Sequence, residues 1–234
     1  MLPSLEDNLV NERKFSGHIS CLNQAMALLE TNCAHDDWFA EGFINSIYFD
    51  TPGFSAYWEK ANGDNLKTKI RIRWYGHDDE LQNEVPVFIE VKGRIGSARR
   101  KMHCESKALK ELITAVPFES GELTDFLVSK ASALDLPLSL RWEPVCCITY
   151  RRRRYFDTPS RSRVSIDWDI RADRFNRRLF PWATPVALDA VVCEFKNSGG
   201  APPHWADSMQ AAGLRFGSFS KYGECMERLI TGVQ

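Results

Sequence analysis

No C-x-x-C pair occurs in this sequence, and no apolar run is long enough to cross a bilayer. The longest such stretches, residues 188–195 among them, have the length of a strand, against the ~20 residues a membrane helix needs. The start, Met1-Leu2-Pro3-Ser4-Leu5-Glu6-Asp7, has neither a basic leader nor an apolar segment, so secretion is not expected. Seven cysteines, odd in number and scattered among apolar neighbours such as Cys146, Cys147 and Cys193, argue for packed, reduced thiols in a cytoplasmic protein. They argue against a zinc cage or a disulfide framework. Histidine is scarce, and His18, His35, His77, His103 and His204 show no ligand spacing. An excess of one charge is lacking too: 30 basic and 31 acidic residues leave a net charge of −1, which excludes the electrostatics of a typical nucleic-acid binder. Repeats and low-complexity segments are absent, so the 234 residues, 44% of them hydrophobic, read as a single domain over 1–234.

What the sequence has instead is charge placed in alternation. Strands are predicted over residues 10–15, 43–50, 67–75, 85–94, 145–156, 163–171 and 188–196, with turns at Thr51-Pro52-Gly53, Thr158-Pro159-Ser160 and Asn197-Ser198-Gly199-Gly200. The segments 67–75 and 85–94 read as one hairpin, and 145–156 with 163–171 as another. Helical spacing appears over 19–30, 105–116, 122–134, 203–212 and 221–230, and residues 173–185 read as a surface excursion. Trp38, Trp58 and Trp142 are expected as core anchors.

In a strand, residues i and i+2 share a face. Lys69, Arg71 and Arg73 therefore point away from Ile70 and Ile72. Glu90 and Lys92 share a face, as do Tyr150, Arg152 and Arg154. Arg163, Ser165, Asp167 and Asp169 share another, and so do Glu194 and Lys196. One such strand is simply a solvated face. Five of them, each backed by an apolar face, call for helices over the apolar side and enclosure of the charged one. The expectation is an α+β protein: a closed antiparallel β-barrel of about eight strands forming a basic tunnel, with helices packed outside. Confined cations need an anion or carboxylate partners, and phosphate chains suit bidentate arginine. Glu12, Glu90 and Glu194 are candidate ligands for a hard divalent cation. Asp167 and Asp169 are expected to pair with arginines.

The run Glu12-Arg13-Lys14-Phe15, then Lys69-Ile70-Arg71-Ile72-Arg73-Trp74-Tyr75-Gly76 and Ile89-Glu90-Val91-Lys92, resembles the catalytic domain of the vacuolar transporter chaperone, the VTC-type polyphosphate polymerases. Tyr150-Arg151-Arg152, Arg163-Val164-Ser165-Ile166-Asp167, Glu194-Phe195-Lys196 and Phe219-Ser220-Lys221-Tyr222 follow in the same order, so the resemblance spans residues 9–230. It places the chain among the triphosphate tunnel metalloenzymes. It implies transfer of the ATP γ-phosphate to a growing polyphosphate chain, with Mn²⁺ or Mg²⁺ bound. It assigns Arg71, Arg73, Lys92, Arg152, Arg163 and Lys221 to catalysis, and Lys14, Ser220 and one basic residue of Arg99-Arg100-Lys101 to phosphate binding. Lys101 is favoured because it shares a strand face with Arg99, and Lys69 and Lys196 join as phosphate-binding candidates from the charged strand faces. Glu194 matches the metal-binding glutamate, with Glu12 and Glu90 as further metal candidates.

Val10 stands where the wider superfamily carries a first glutamate, so a full two-metal hydrolase site is not expected. Arg151 and Arg153 point away from the charged face. The phosphate-sensing domain and transmembrane helices of the eukaryotic polymerases have no counterpart in this sequence, which leaves any membrane partner to be separately encoded. A phosphohydrolase of triphosphate or nucleotides, and a non-catalytic polyphosphate-binding module, remain open beside the polymerase.

Overall fold

The structure, a computed structural model, describes residues 10–36, 40–62, 66–95, 98–130, 141–198 and 201–232. Eleven strands form one mostly antiparallel sheet: β1 (Val10–His18), β2 (Ala34–His35), β3 (Glu41–Asp50), β4 (Leu66–Tyr75), β5 (Glu84–Ile95), β6 (Ala98–Leu109), β7 (Glu143–Asp157), β8 (Ser162–Phe175), β9 (Val186–Leu188), β10 (Ala190–Ser198) and β11 (Arg215–Phe216). Among the described residues five α-helices accompany them: α1 (Leu22–Asn32), α2 (Ser55–Ala61), α3 (Lys110–Thr114), α4 (Glu122–Ser129) and α5 (Lys221–Thr231). The hydrogen-bonded order is β11-β1-β10-β8-β7-β3-β4-β5-β6, with β2 added to β7 and β9 to β8.

That path is open, which corrects the expected closed barrel. Its terminal strand β11 is two residues long and pairs with β1 only at Phe15 and Ser16. Such an edge offers too few backbone groups to carry a ladder onward, and no pairing among the described strands returns from β6 to β11.

The chain divides into two compact units. The first comprises Met1–Gly42, Arg151–Asp169 and Asp189–Phe219; the second comprises Phe43–Tyr150, Ile170–Leu188 and Ser220–Gln234. Each has its own core. In the first, Phe15, Ala25, Leu29, Tyr155, Ile166, Phe195, Met209 and Leu214 are buried in one apolar cluster, and Phe15 meets Phe195 edge to face at 5.6 Å. In the second, Ile70, Ile72 and Trp74 of β4 and Val85, Val87 and Ile89 of β5 pack with Ile113 of α3 and Leu123 and Leu127 of α4. Period-two alternation supplies the inward set, and each buried isoleucine contributes ~1.5–3 kcal/mol. The opposite parity of the same strands carries the charge.

Some sequence expectations are corrected here. Residues 105–109 continue β6 instead of starting a helix, which is confined to Lys110–Thr114. Pairing to β5 down to Leu109↔Glu84 outweighs the helical propensity of Glu105-Ser106-Lys107-Ala108-Leu109. Within 203–212 only Ala206–Met209 is helical, and in 3₁₀ form, because Trp205 just before it is pinned through its indole N–H to Asp157. The helix beginning at Glu122 ends at Ser129; residues 131–134 of the predicted 122–134 helix lie outside the described residues, as does Trp38. Trp142 is buried as expected, whereas Trp58 is 46% exposed. Its place on α2 directs the indole outward, while Ala56 of the same helix is buried. All seven cysteines are free thiols. Among the described residues no helix is long and apolar enough to cross a membrane.

Candidate functional site

In the first unit, charged side chains are brought together by strand register. β1 runs antiparallel to β10 with Lys14 opposite Glu194 and Glu12 opposite Lys196. β10 runs antiparallel to β8 with Glu194 opposite Ser165 and Lys196 opposite Arg163. Two rows result, Arg163–Lys196–Glu12 and Ser165–Glu194–Lys14. The Lys14 ammonium lies 2.5 Å from Glu12 and 3.9 Å from Glu194, and Lys196 lies 2.8 Å from Glu194. Burial alone would push the Glu194 carboxyl up. The Lys196 and Lys14 ammonium groups overcome it and hold the group well below the usual carboxylate range. Lys14 shows the mirror effect: burial opposes its charge, and Glu194 and Glu12 restore it.

Arg152 grips the buried Asp167 with two parallel bonds, Nε to Oδ1 at 2.6 Å and Nη2 to Oδ2 at 2.7 Å. Its Nη2 is also 3.9 Å from Glu194. The expected arginine partner of Asp167 is therefore present. Arg163 occupies the exposed end of its row. Arg151 and Arg153 turn to the other face, where both pair with Glu41 and Arg153 also meets Glu30 at 3.0 Å.

In the second unit, β4 carries the cations. Arg71 donates from Nε and Nη2 to Glu90 Oε2, at 3.0 and 2.5 Å, and from Nη1 to the Tyr48 hydroxyl at 3.1 Å. Arg73 lies 3.5 Å from Glu90 Oε1 and donates from Nε to Ser46 Oγ at 3.3 Å. Burial would raise the Glu90 pKa, but Arg71 and Arg73 bring it down to about 2. Lys69 donates to Ser220 Oγ at 3.3 Å, and Ser220 caps α5 by accepting from the Gly223 N–H at 3.1 Å. Lys221, the first residue of that helix, sits 4.5 Å over the Tyr150 ring. Lys92 is opposite Lys69 on β5, and Lys101 is opposite Lys92 on β6; the Lys101 side chain lies outside what is described.

Donor chemistry decides where a divalent ion fits. Among the described residues there is no cluster of three or more His, Cys, Asp or Glu side chains. Glu12 and Glu194 meet on one lysine, and a Mg²⁺-type ion held by one or two carboxylates, with phosphate oxygens and water completing its shell, needs no more. Those two residues fit such an ion. Glu90 belongs to the second unit and has both oxygens engaged by arginines.

The sequence does not single out Ser46, Asp50 or Tyr222, and it presents Tyr48, beside Tyr75 and Tyr155, only as a strand tyrosine able to donate to phosphate, whereas its hydroxyl accepts from Arg71. The available signal was the parity of Ser46, Tyr48 and Asp50 on one strand, which the register aligns with Arg73 and Arg71.

An antiparallel sheet whose charged face pairs arginines and lysines with carboxylates defines a class of polar-faced α+β protein. The VTC domain matches residues 9–230, and the chain belongs to that family. Among solved structures, a putative adenylate cyclase from Bacillus halodurans is 13% identical, with 89% of this chain and 92% of that one covered and a TM-score of 0.49. A putative adenylate cyclase from Vibrio parahaemolyticus is 12% identical, covering 92% and 97%, with a TM-score of 0.47. A conserved hypothetical protein from Pyrococcus furiosus is 11% identical, covering 88% and 92%, with a TM-score of 0.41. No curated protein matches the chain.

Proposed function

We propose that this chain is a cytoplasmic polyphosphate polymerase that uses ATP and Mn²⁺ or Mg²⁺. A terminal oxygen of the polyphosphate chain attacks the γ-phosphorus of ATP, the bond from that phosphorus to the β-bridging oxygen breaks, and ADP leaves. The observation that carries this reading is the arrangement of Arg71 and Arg73 around one carboxylate, in a family-matched segment, with Lys69 on the same strand face.

Phosphoryl transfer asks a protein for positioning and charge neutralisation more than for a covalent group. The two guanidinium planes are already oriented, by Glu90 from one side and by Tyr48 and Ser46 from the other. They present fixed forks to phosphate oxygens. Lys69, Lys92, Ser220, Lys221 and the α5 N-terminus add point charges and N–H donors for the chain. Lys101, from its strand position, adds to this set of the second unit, while Lys14, Lys196, Arg152 and Arg163 form a cationic group of their own in the first unit. Within the first unit, Glu12 and Glu194 would hold a divalent ion, which when bound would offset repulsion among phosphate oxygens held there.

Incubation with ATP and Mn²⁺, and separately with triphosphate and Mn²⁺, tests the proposal when products are run on a polyphosphate gel. A ladder from ATP that is lost in Arg73→Ala is the expected result, with a drop in rate of ~10²-fold. Phosphate release from triphosphate without chain growth would make the protein a hydrolase. The Lys14 ammonium, which sits between Glu12 and Glu194 where an ion would be held, favours a second reading, a polyphosphate-binding module. Tight binding without turnover would select it.

A further inference from the structure

We propose that Tyr222 and Asp50 are positioning residues for Arg71, acting through Tyr48. The inference rests on the reading of Arg71 as a phosphate-gripping residue. All four residues lie within the second unit.

Asp50 is fully buried at the end of β3. It accepts from the backbone N–H groups of Thr51, Ala56 and Tyr57 at 2.7, 2.8 and 3.0 Å. The turn into α2 therefore fixes both of its oxygens. The Tyr222 hydroxyl donates to Asp50 Oδ2 at 2.7 Å, and the Tyr222 ring stacks on Tyr48 at 4.9 Å with planes 20° apart. Tyr48 in turn accepts from Arg71 Nη1.

A guanidinium that must present a fork to phosphate has to be held in plane. Glu90 holds Nε and Nη2 of Arg71, and the remaining nitrogen contact is Tyr48. A tyrosine ring on a strand has rotamer freedom, and here the stacked Tyr222 ring removes it. Tyr222 also follows Ser220 and Lys221 directly, so docking its hydroxyl on Asp50 sets the start of α5 against the sheet. Through these contacts Tyr222 tunes the grip on phosphate without touching it.

The test is calorimetric titration of sodium tripolyphosphate into the full chain. Wild type, Tyr222→Phe, Tyr222→Leu, Arg71→Ala and the Tyr222→Leu/Arg71→Ala pair are compared, with a melting temperature for each. Tyr222→Leu is expected to weaken binding about tenfold, within the coupling range of residues in contact. Tyr222→Phe keeps the stack and recovers most of that loss. In the Arg71→Ala background, Tyr222→Leu is expected to change affinity by less than about twofold, because the group it positions is gone. Equal losses in both backgrounds would mark a merely structural role and overturn the proposal, as would no loss in either. If Tyr222→Leu does not fold, the same cycle is run with Tyr222→Met, which also removes the stacked ring while filling more of its volume. A wild-type chain that does not bind tripolyphosphate would overturn the phosphate reading along with this one. That outcome is distinct from a wild type that binds and variants that match it.

Discussion

Lys69 stands directly opposite Lys92 across the β4–β5 ladder. Like charges in direct cross-strand register disfavour pairing, and Lys101 extends the row on β6. A polyanion laid along that row would relieve the repulsion. Tripolyphosphate is therefore expected to raise the melting temperature, by an amount equivalent to ~2.7 kcal/mol at a hundredfold excess over Kd. Lys92→Gln is expected to lower the ligand-free melting temperature slightly, since Lys92 also helps to hold the Glu90 carboxyl ionised, and to shrink the ligand-induced rise. Thermal melts with and without tripolyphosphate check both effects, and a rise indifferent to Lys92→Gln would separate the row from the ligand.

Arg152 and the buried Asp167 form a two-pronged ion pair in the first unit. Removing one partner strands a charge, so Arg152→Ala is expected to cost ~3–5 kcal/mol. The double change Arg152→Met with Asp167→Leu is expected to cost less than the single one, since it leaves no orphan. Urea denaturation midpoints give the comparison. A double variant less stable than Arg152→Ala would show that the pair stabilises by more than mutual neutralisation.

Glu90 sets an acid limb. Its folded-state pKa is depressed to about 2 by Arg71 and Arg73 against the opposing effect of burial, while an ordinary glutamate titrates near 4.5. The stability it contributes is therefore complete above about pH 4.5 and is lost as pH falls toward 2, by at most ~3 kcal/mol. Denaturation at stepped pH should show that loss in the wild type. Glu90→Gln should flatten the same window and lower stability at neutral pH. An unchanged acid slope would reassign the ion pair.

Lys14 occupies the two carboxylates that would hold a divalent ion. Phosphate oxygens would draw that ammonium away, so Mn²⁺ uptake is expected to be weak alone and stronger when tripolyphosphate is present. Glu194→Gln should abolish the enhancement. Electron paramagnetic resonance of Mn²⁺ reads the free ion directly, and enhancement that survives Glu194→Gln would place the ion elsewhere.

Most of the sheet was legible because charge and aliphatic residues alternate without a break in Lys69-Ile70-Arg71-Ile72-Arg73. The end of β6 was not. Its inward positions there are Cys104, Ser106 and Ala108, too weakly apolar to display a period of two, while Glu105, Lys107 and Leu109 favour a helix by propensity. Arg71 and Arg73 could be read as a pair from their spacing, but not their partners. Tyr222 and Asp50 are 172 positions apart, and only the packing of α5 brings them together. The charge of the strand faces was open to inference, whereas the count, about eight expected against eleven among the described residues, and the closure were not: both depend on strands as short as Arg215–Phe216, which carry no pattern of their own.

The run Arg151-Arg152-Arg153-Arg154 sends Arg152 to Asp167 on one face and Arg151 and Arg153 to Glu41 on the other. Four identical side chains in succession carry no information about which residue belongs on which side, since a slip of one position would again put arginines on both. The addresses are written instead in the residues around them: Tyr150 and Tyr155, buried on opposite faces, and the acids, Asp167 on one face and Glu41 and Glu30 on the other. Replacing any one of those acids would do more to blur the alignment of β7 than exchanging one arginine of the run for lysine.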